Sequence, residues 1–229
     1  MNAIYRLALR ALALTLLMSI EGTSHAQSSL LDEDFESQPV GMPPAFPWTV
    51  EGVAVTVSQG HDAQSPFDGH DHVRGARVRD LVGANIPALE YSFLGKNFPL
   101  TVSFDYMYVE QTGNPQLTLS EGNMSGIRMV LTDVDGHPSV KSAKDFHVVQ
   151  TIKLLPRQWY RFMLTIAADS RETFSLKVVS MDGSEQAQDN LPFEKPLLGF
   201  SEIRFSFNTV PSVLGGEYFI DNVKVSSTP

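Results

Sequence analysis

Apolar and polar residues alternate with period two over most of the chain. Leu100, Val102, Phe104, Tyr106 and Tyr108 share one parity, with Thr101, Ser103 and Asp105 on the other. Ile127, Met129 and Leu131 form a second such set, and Tyr160, Phe162, Leu164 and Ile166 a third. Phe174, Leu176 and Val178 follow, then Ile203, Phe205 and Phe207. Successive side chains of a strand point to opposite faces, so this spacing predicts strands with one buried face. β-Branched and aromatic residues are plentiful in these runs. No stretch sustains the period of an amphipathic helix.

The interruptions carry turn chemistry. Asp135-Gly136 and Asp182-Gly183 are Asp-Gly pairs between apolar runs, a strong short hairpin signal. Ser37–Pro47 holds too much proline for a central strand, since proline donates nothing to a ladder. It reads as an ordered crossover. About a dozen short strands with short connections predict an all-β fold, a two-sheet antiparallel β-sandwich of jelly-roll topology. No repeat and no linker divides the chain, so residues 27–229 read as one domain.

Residues 1–26 read differently. Arg6 and Arg10 precede the apolar run Ala11–Ile20, and Ser24-His25-Ala26 ends on a small residue. That is the layout of a secretory signal peptide cleaved after Ala26; an ordinary N-terminal helix is the alternative. The run is too short to span a bilayer, and no second apolar stretch of membrane length follows. The expected location is secreted or periplasmic. The chain has no cysteine, which removes disulfides, thiolate-ligated zinc and a cysteine nucleophile. Its net charge of −9 disfavours nucleic acid, whose affinity rests on neutralising phosphates.

The last run, Gly216–Val225, puts Phe219, Asp221, Val223 and Val225 on one parity. A carboxylate on a buried face is costly unless paired, hydrogen-bonded or metal-bound. In a jelly roll the first and last strands are commonly neighbours. That places Asp34 or Glu36 near Asp221.

"DEDFESQPVGMPPAFPW" (Asp32–Trp48), followed by "GVAVTVS" (Gly52–Ser58), resembles the opening of bacterial jelly-roll carbohydrate-binding modules. "GEYFIDNVKV" (Gly216–Val225) resembles their closing strand. The middle, Arg157–Gly183, is similar to concanavalin A-like, laminin-G-type sandwiches of secreted bacterial proteins. Both resemblances imply two antiparallel sheets and differ in topology. The first also implies a structural calcium at Glu36 and Asp221. Calcium takes about six to eight oxygen ligands, and Asp34 is a third candidate. The alternative is that Asp221 lies at the sheet rim, bonded to main-chain N–H groups or a basic side chain.

Sugar-binding sandwiches pack C–H faces of the ligand on aromatic rings. Tyr106, Tyr108, Trp48 and Trp159 are the candidates, and Tyr91 is a weaker one. Core packing is the competing reading, because Tyr106 and Tyr108 share a parity with Leu100, Val102 and Phe104. His61, Asp62, Asp68, His70, Asp71 and His72 crowd one polar loop, which is either a transition-metal site or simply solvated. Asp133 and Asp135 begin like an EF-hand loop but lack its later Gly and Glu, so a hairpin turn is expected.

No catalytic constellation stands out. Retaining glycosidases need two carboxylates about 5 Å apart. The alternating acids Asp32, Asp34 and Glu36 lie at an edge, and Asp105 stands alone in its run. Neither a Gly-x-Ser-x-Gly elbow nor a phosphate-cradling loop occurs. The expected function is non-catalytic carbohydrate binding by a secreted protein with a structural calcium. A glycan-degrading enzyme of the same fold and a cell-surface protein-interaction domain are the alternatives.

Overall fold

The alternating runs form strands. A computed structural model of the chain describes residues 28–52, 54–67, 73–81, 86–110, 114–133, 135–208 and 216–227. The expected leader, the side chain of His61, and Asp68, His70, Asp71 and His72 of the polar loop lie outside the described residues. In chain order the strands are β1 (Ser28–Glu33), β2 (Trp48–Glu51), β3 (Val55–Gln59), β4 (Arg74–Arg79), β5 (Ala88–Asn97), β6 (Leu100–Glu110), β7 (Asn114–Glu121) and β8 (Met124–Val130). They continue as β9 (Ser139–Lys141), β10 (Phe146–Val148), β11 (Tyr160–Ile166), β12 (Thr173–Ser180), β13 (Glu185–Pro192), β14 (Gly199–Asn208) and β15 (Glu217–Ser227). One turn of 3-10 helix, His61–Ala63, precedes β4.

These strands pair into two antiparallel sheets, as the alternation predicts. The larger has the order β13-β12-β11-β6-β15-β4-β3, with β1 also on β15. The smaller has the order β10-β9-β8-β7-β14-β5-β2. The expected crossover, Ser37–Pro47, lies in the segment 34–47 that carries the chain from β1 in the larger sheet to β2 in the smaller. The Asp182-Gly183 turn joins β12 to β13, with Gly183 at a φ of 81° that a side chain would strain.

The predicted apolar faces meet between the sheets. Phe104 of β6 stacks on Phe162 of β11 at 5.2 Å and meets Phe205 of β14 edge-on at 5.1 Å. Each ring contributes about 1.5–3 kcal/mol through apolar area removed from water. The buried tyrosines keep hydrogen-bond partners. Tyr106 Oη lies 2.7 Å from Thr132 Oγ1, Tyr108 donates to Leu154 O at 3.3 Å and Tyr218 donates to Ser206 O at 3.1 Å. Burial raises all three phenols well above the usual tyrosine range, so they stay neutral.

Four of the five aromatic residues considered for sugar contact are buried, and the fifth, Tyr91, is half-buried against the core. Tyr106 and Tyr108 are 0% and 2% exposed, and Trp48 and Trp159 are 5% and 4% exposed. Trp48 is wedged against Phe35 and Tyr91, and its indole N–H donates to Glu33 Oε2 at 3.2 Å. Trp159 lies outside the larger sheet in a second small cluster with Ala63, Met107 and Phe219. None of these four turns a ring face outward. Their large apolar area goes into the two cores instead.

β15 organises the larger sheet. It pairs with β6 along one edge. On its other edge it pairs with β4 over Glu217–Ile220 and with β1 over Val223–Ser227. First and last strands are therefore neighbours, with Glu33 opposite Val223. Where the partner changes, Asn222 takes a φ of 49° and the register slips between Asp221 and Lys224. This bulge divides the parity read from the sequence. Val223 and Val225 turn into the main core, whereas Phe219 belongs to the small outer cluster, on the Asp221 side.

Candidate functional site: a buried acidic seam and a polar sheet face

The seam lies where β15 exchanges β4 for β1. Asp105 of β6 faces Asp221 of β15 across the ladder, and both are fully buried. Arg161 of β11 grips Asp105 as a fork, Nε to Oδ1 at 2.7 Å and Nη2 to Oδ2 at 2.9 Å. Ser65 Oγ and Asn222 Nδ2 donate to the same Oδ2 at 2.6 and 2.7 Å. Asp105 is thus saturated by charge-assisted bonds. The guanidinium of Arg161 also lies 5.0 Å from the ring centre of Phe67, which helps close the site.

Asp221 is treated differently. Its Oδ1 accepts the Asn222 N–H at 2.7 Å, but its Oδ2 has no partner. Asn222 Oδ1 is buried and unpartnered as well. Burial, and then repulsion from Asp105, Glu36 and Asp34, pushes the Asp221 carboxyl up to about 9; the Asn222 N–H works against this. Glu36 Oε1 accepts the N–H groups of Val73 and Arg74 at 2.6 and 2.7 Å, tying the end of β1 to the start of β4. Arg74 returns the tie, with Nη1 donating to the carbonyls of Glu36 and Gln38. Asp34 Oδ1 accepts the Glu36 N–H at 3.0 Å.

The fold thus brings Asp34, Glu36 and Asp221 into one electrostatic neighbourhood. It does not arrange them as a finished cage: among the described residues no three acidic or histidine side chains converge to hold a metal. The unpartnered oxygens still define what fits. Among the described residues four carboxylates face two guanidiniums, and the orphaned atoms of the seam are two oxygen acceptors, Asp221 Oδ2 and Asn222 Oδ1, and one donor, Arg74 Nε. A proton on Asp221 or a hard, oxygen-seeking cation suits that chemistry; a soft metal does not.

A second arrangement lies on the smaller sheet. Leu89, Phe205, Leu117 and Met129 are buried in the core on adjacent strands, so their neighbours in sequence face outward. Register aligns these neighbours into rows. One row is Thr49, Glu90, Arg204, Thr118 and Arg128. The next is Glu51, Ala88, Ser206, Gln116, Val130 and Ser139. Although it faces outward, most of the second row is recessed: Ser206, Gln116 and Ser139 are only 7%, 8% and 6% exposed. Arg204 donates to Glu90 at 2.8 Å and to Glu51 at 2.6 Å. Its hydrogen bond holds the Glu51 carboxyl below the usual range. Gln116 Nε2 donates to Thr118 Oγ1 at 3.0 Å.

Ser65, Asn222, Arg74 and Arg161 have no motif around them, and Asp105 is far from solitary. The one hint was the parity of Arg161, which like Asp105 stands off the apolar face of its run. The outward rows draw one or two residues from each of several strands, and only the register assembles them.

No family model matches the sequence, and no curated protein matches it. The fold itself is shared. A carbohydrate esterase of a Shiga toxin-encoding bacteriophage superposes with a TM-score of 0.59 at 13% identity, covering 89% of this chain and 100% of that one. An endo-acting O-glycanase of the human gut microbiota gives 0.57 at 12%, covering 88% and 100%. An endo-β-1,4-glucuronan lyase of the fungus Trichoderma reesei gives 0.50 at 11%, covering 88% and 96%. At these identities the likeness establishes the two-sheet sandwich and nothing finer.

Proposed function

We propose that this chain is a non-catalytic carbohydrate-binding β-sandwich acting outside the cytoplasm, with glycan contact on the outward rows of the smaller sheet. The recessed second row is the observation that carries this reading. Sugar hydroxyls both donate and accept. Hydroxyl, amide, guanidinium and carboxylate groups line these rows, and Ser206, Gln116 and Ser139 of the second are little exposed. Acting on glycans is also what the names of several fold neighbours describe. Secretion belongs to this proposal and rests on the leader-like sequence of residues 1–26.

Calcium is the second part of the proposal. Asp221, Glu36 and Asp34 hold it in this reading, with Asn222 Oδ1 as a neutral donor. When bound, the cation supplies the positive charge that Asp221 lacks. Its role is structural, joining β1 to β15 at the seam.

A glycan-array screen of the chain, with calcium and with a chelator, tests both parts. Gln116→Ala and Thr118→Ala are each expected to weaken glycan binding about tenfold, roughly 1.4 kcal/mol, at an unchanged melting temperature. Folded protein that binds no glycan defeats the reading. The rival is a glycan-degrading enzyme, favoured by Glu51 and Glu90 flanking Arg204 on the same face. Arg204 keeps Glu51 ionised, which suits a base or nucleophile and not a general acid. Release of new reducing ends or unsaturated products from polysaccharide would decide for the enzyme.

A further inference from the structure

A separate cleft of about 390 Å³ opens between the segment before β11 and the turn joining β12 to β13. It shares no residue with the seam or the outward rows. Tyr160 lies in its lining with a buried ring and a fully committed hydroxyl. That oxygen accepts the Leu155 N–H at 2.9 Å and donates to Gln158 Oε1 at 3.0 Å. The bond fixes the amide of Gln158: its oxygen is engaged, so its two N–H donors are left for a ligand. Gln186 repeats the device, its Oε1 accepting the Lys153 N–H at 2.9 Å.

The opposite wall supplies an acceptor. Asp182 Oδ1 takes hydrogen bonds from Ser180 Oγ at 2.7 Å and Ser184 N at 2.9 Å. These bonds lower its carboxyl to about 2, so it remains an anion. Leu155 and Met181, 48% and 60% exposed, contribute apolar surface beside these polar groups. Lys153 also lines the cleft, so its lining holds one cationic and one anionic residue.

The geometry points to a pyranose subsite in this cleft. Two oriented amides donate to sugar hydroxyls, Asp182 accepts from them, and Leu155 and Met181 meet a C–H face of the ring. The near-balance of charge selects a neutral sugar over a uronate. The volume suits one or two rings, at the small end of ligand cavities. The inference rests on the carbohydrate reading above and adds a contact that is independent of the sheet face. Two modest sites on one chain raise the apparent affinity for a long glycan without any new contact at either.

The test is a nitrogen-15 NMR titration of the full chain with methyl α-D-glucopyranoside, methyl β-D-galactopyranoside and N-acetylglucosamine. Each is taken to about 100 mM, beyond the millimolar Kd that a few hydrogen bonds yield. The side-chain amide signals of Gln158 and Gln186 are expected to shift with at least one sugar. Gln158→Ala and Asp182→Asn should each weaken that response several-fold while leaving the melting temperature unchanged. Shifts at Gln116 and Thr118 with none at Gln158 or Gln186 overturn the subsite and leave the sheet-face reading standing. The reverse pattern supports the subsite and removes the sheet face. No shift anywhere overturns both.

Discussion

Asp221 and Asp105 oppose each other on neighbouring strands, both fully buried, and Asp105 alone of the two has a guanidinium of its own. The pair explains the construction around it. Asp105 gathers Arg161, Ser65 and Asn222, and so links β6, β11, β15 and the segment before β4. Removing it takes from Ser65 Oγ and Asn222 Nδ2 the acceptor they share, and from Arg161 the carboxylate it grips. Asp105→Ala is expected to cost about 3–5 kcal/mol, read from urea unfolding midpoints at constant slope. A loss below about 1 kcal/mol would mean that water replaces the carboxylate and the seam is wet.

Asp221 makes stability depend on pH. Its carboxyl titrates near 3.8 in an ordinary setting and about 9 in the fold. Between these values the folded chain keeps a proton that the unfolded chain has released. Stability from this group is therefore full below the lower value and is lost as pH rises toward the upper one. The slope approaches about 1.4 kcal/mol per pH unit. Melting curves in chelator should fall from about pH 5 to about pH 9, and Asp221→Asn should flatten them. Calcium should flatten them too, with a proton released on binding. A wild-type profile in chelator no steeper than that of Asp221→Asn would show the carboxyl already ionised and paired.

The core was legible because each buried set is local. Leu100 to Tyr108 alternate within one strand, and alternation needs no partner to be seen. The adjacency of β1 and β15 followed from topology alone. The bulge at Asn222 was not legible, since no glycine or proline marks it; an asparagine in the left-handed region is read only from the backbone. Arg161 and Asp105 lie far apart in sequence, and nothing in either run names the other. Four of the aromatic candidates are buried, and their burial was half legible. Parity with Leu100, Val102 and Phe104 already offered core packing for Tyr106 and Tyr108, whereas Trp48 and Trp159 begin their runs and share no such alternation.

Trp48 and Tyr106 should respond as packing residues. Trp48→Ala removes contacts to Phe35 and Tyr91 and leaves Glu33 Oε2 short of a donor. The expected loss is about 3–5 kcal/mol. Tyr106→Phe removes only the hydroxyl contact to Thr132 and should cost about 1 kcal/mol. Glycan affinity of the folded fraction should not change in Tyr106→Phe. A selective loss of binding at unchanged melting temperature would return Tyr106 to the ligand.

Gly75 couples the segment that covers the seam to the strand beneath it. A Cβ there would stand 2.9 Å from Ala63 O, 3.1 Å from Ile220 O and 3.7 Å from Asp221 Cβ. The two nearest atoms are backbone, so neither can swing aside. Gly75→Ala must lift the Ala63 segment or press on β15, at a cost of about 1–3 kcal/mol. Gly95 is the natural control. Its Cβ would meet only Ser201 Cβ, at an ordinary 3.7 Å, so Gly95→Ala should fall within about 0.5 kcal/mol of the parent. If the cover lifts, water reaches Asp221 and its carboxyl falls back toward the ordinary range. Gly75→Ala should then show the shallower pH dependence of Asp221→Asn while keeping the aspartate itself. A destabilised Gly75→Ala with the full parental slope would mean that strain has gone into β15 and the cover has stayed closed.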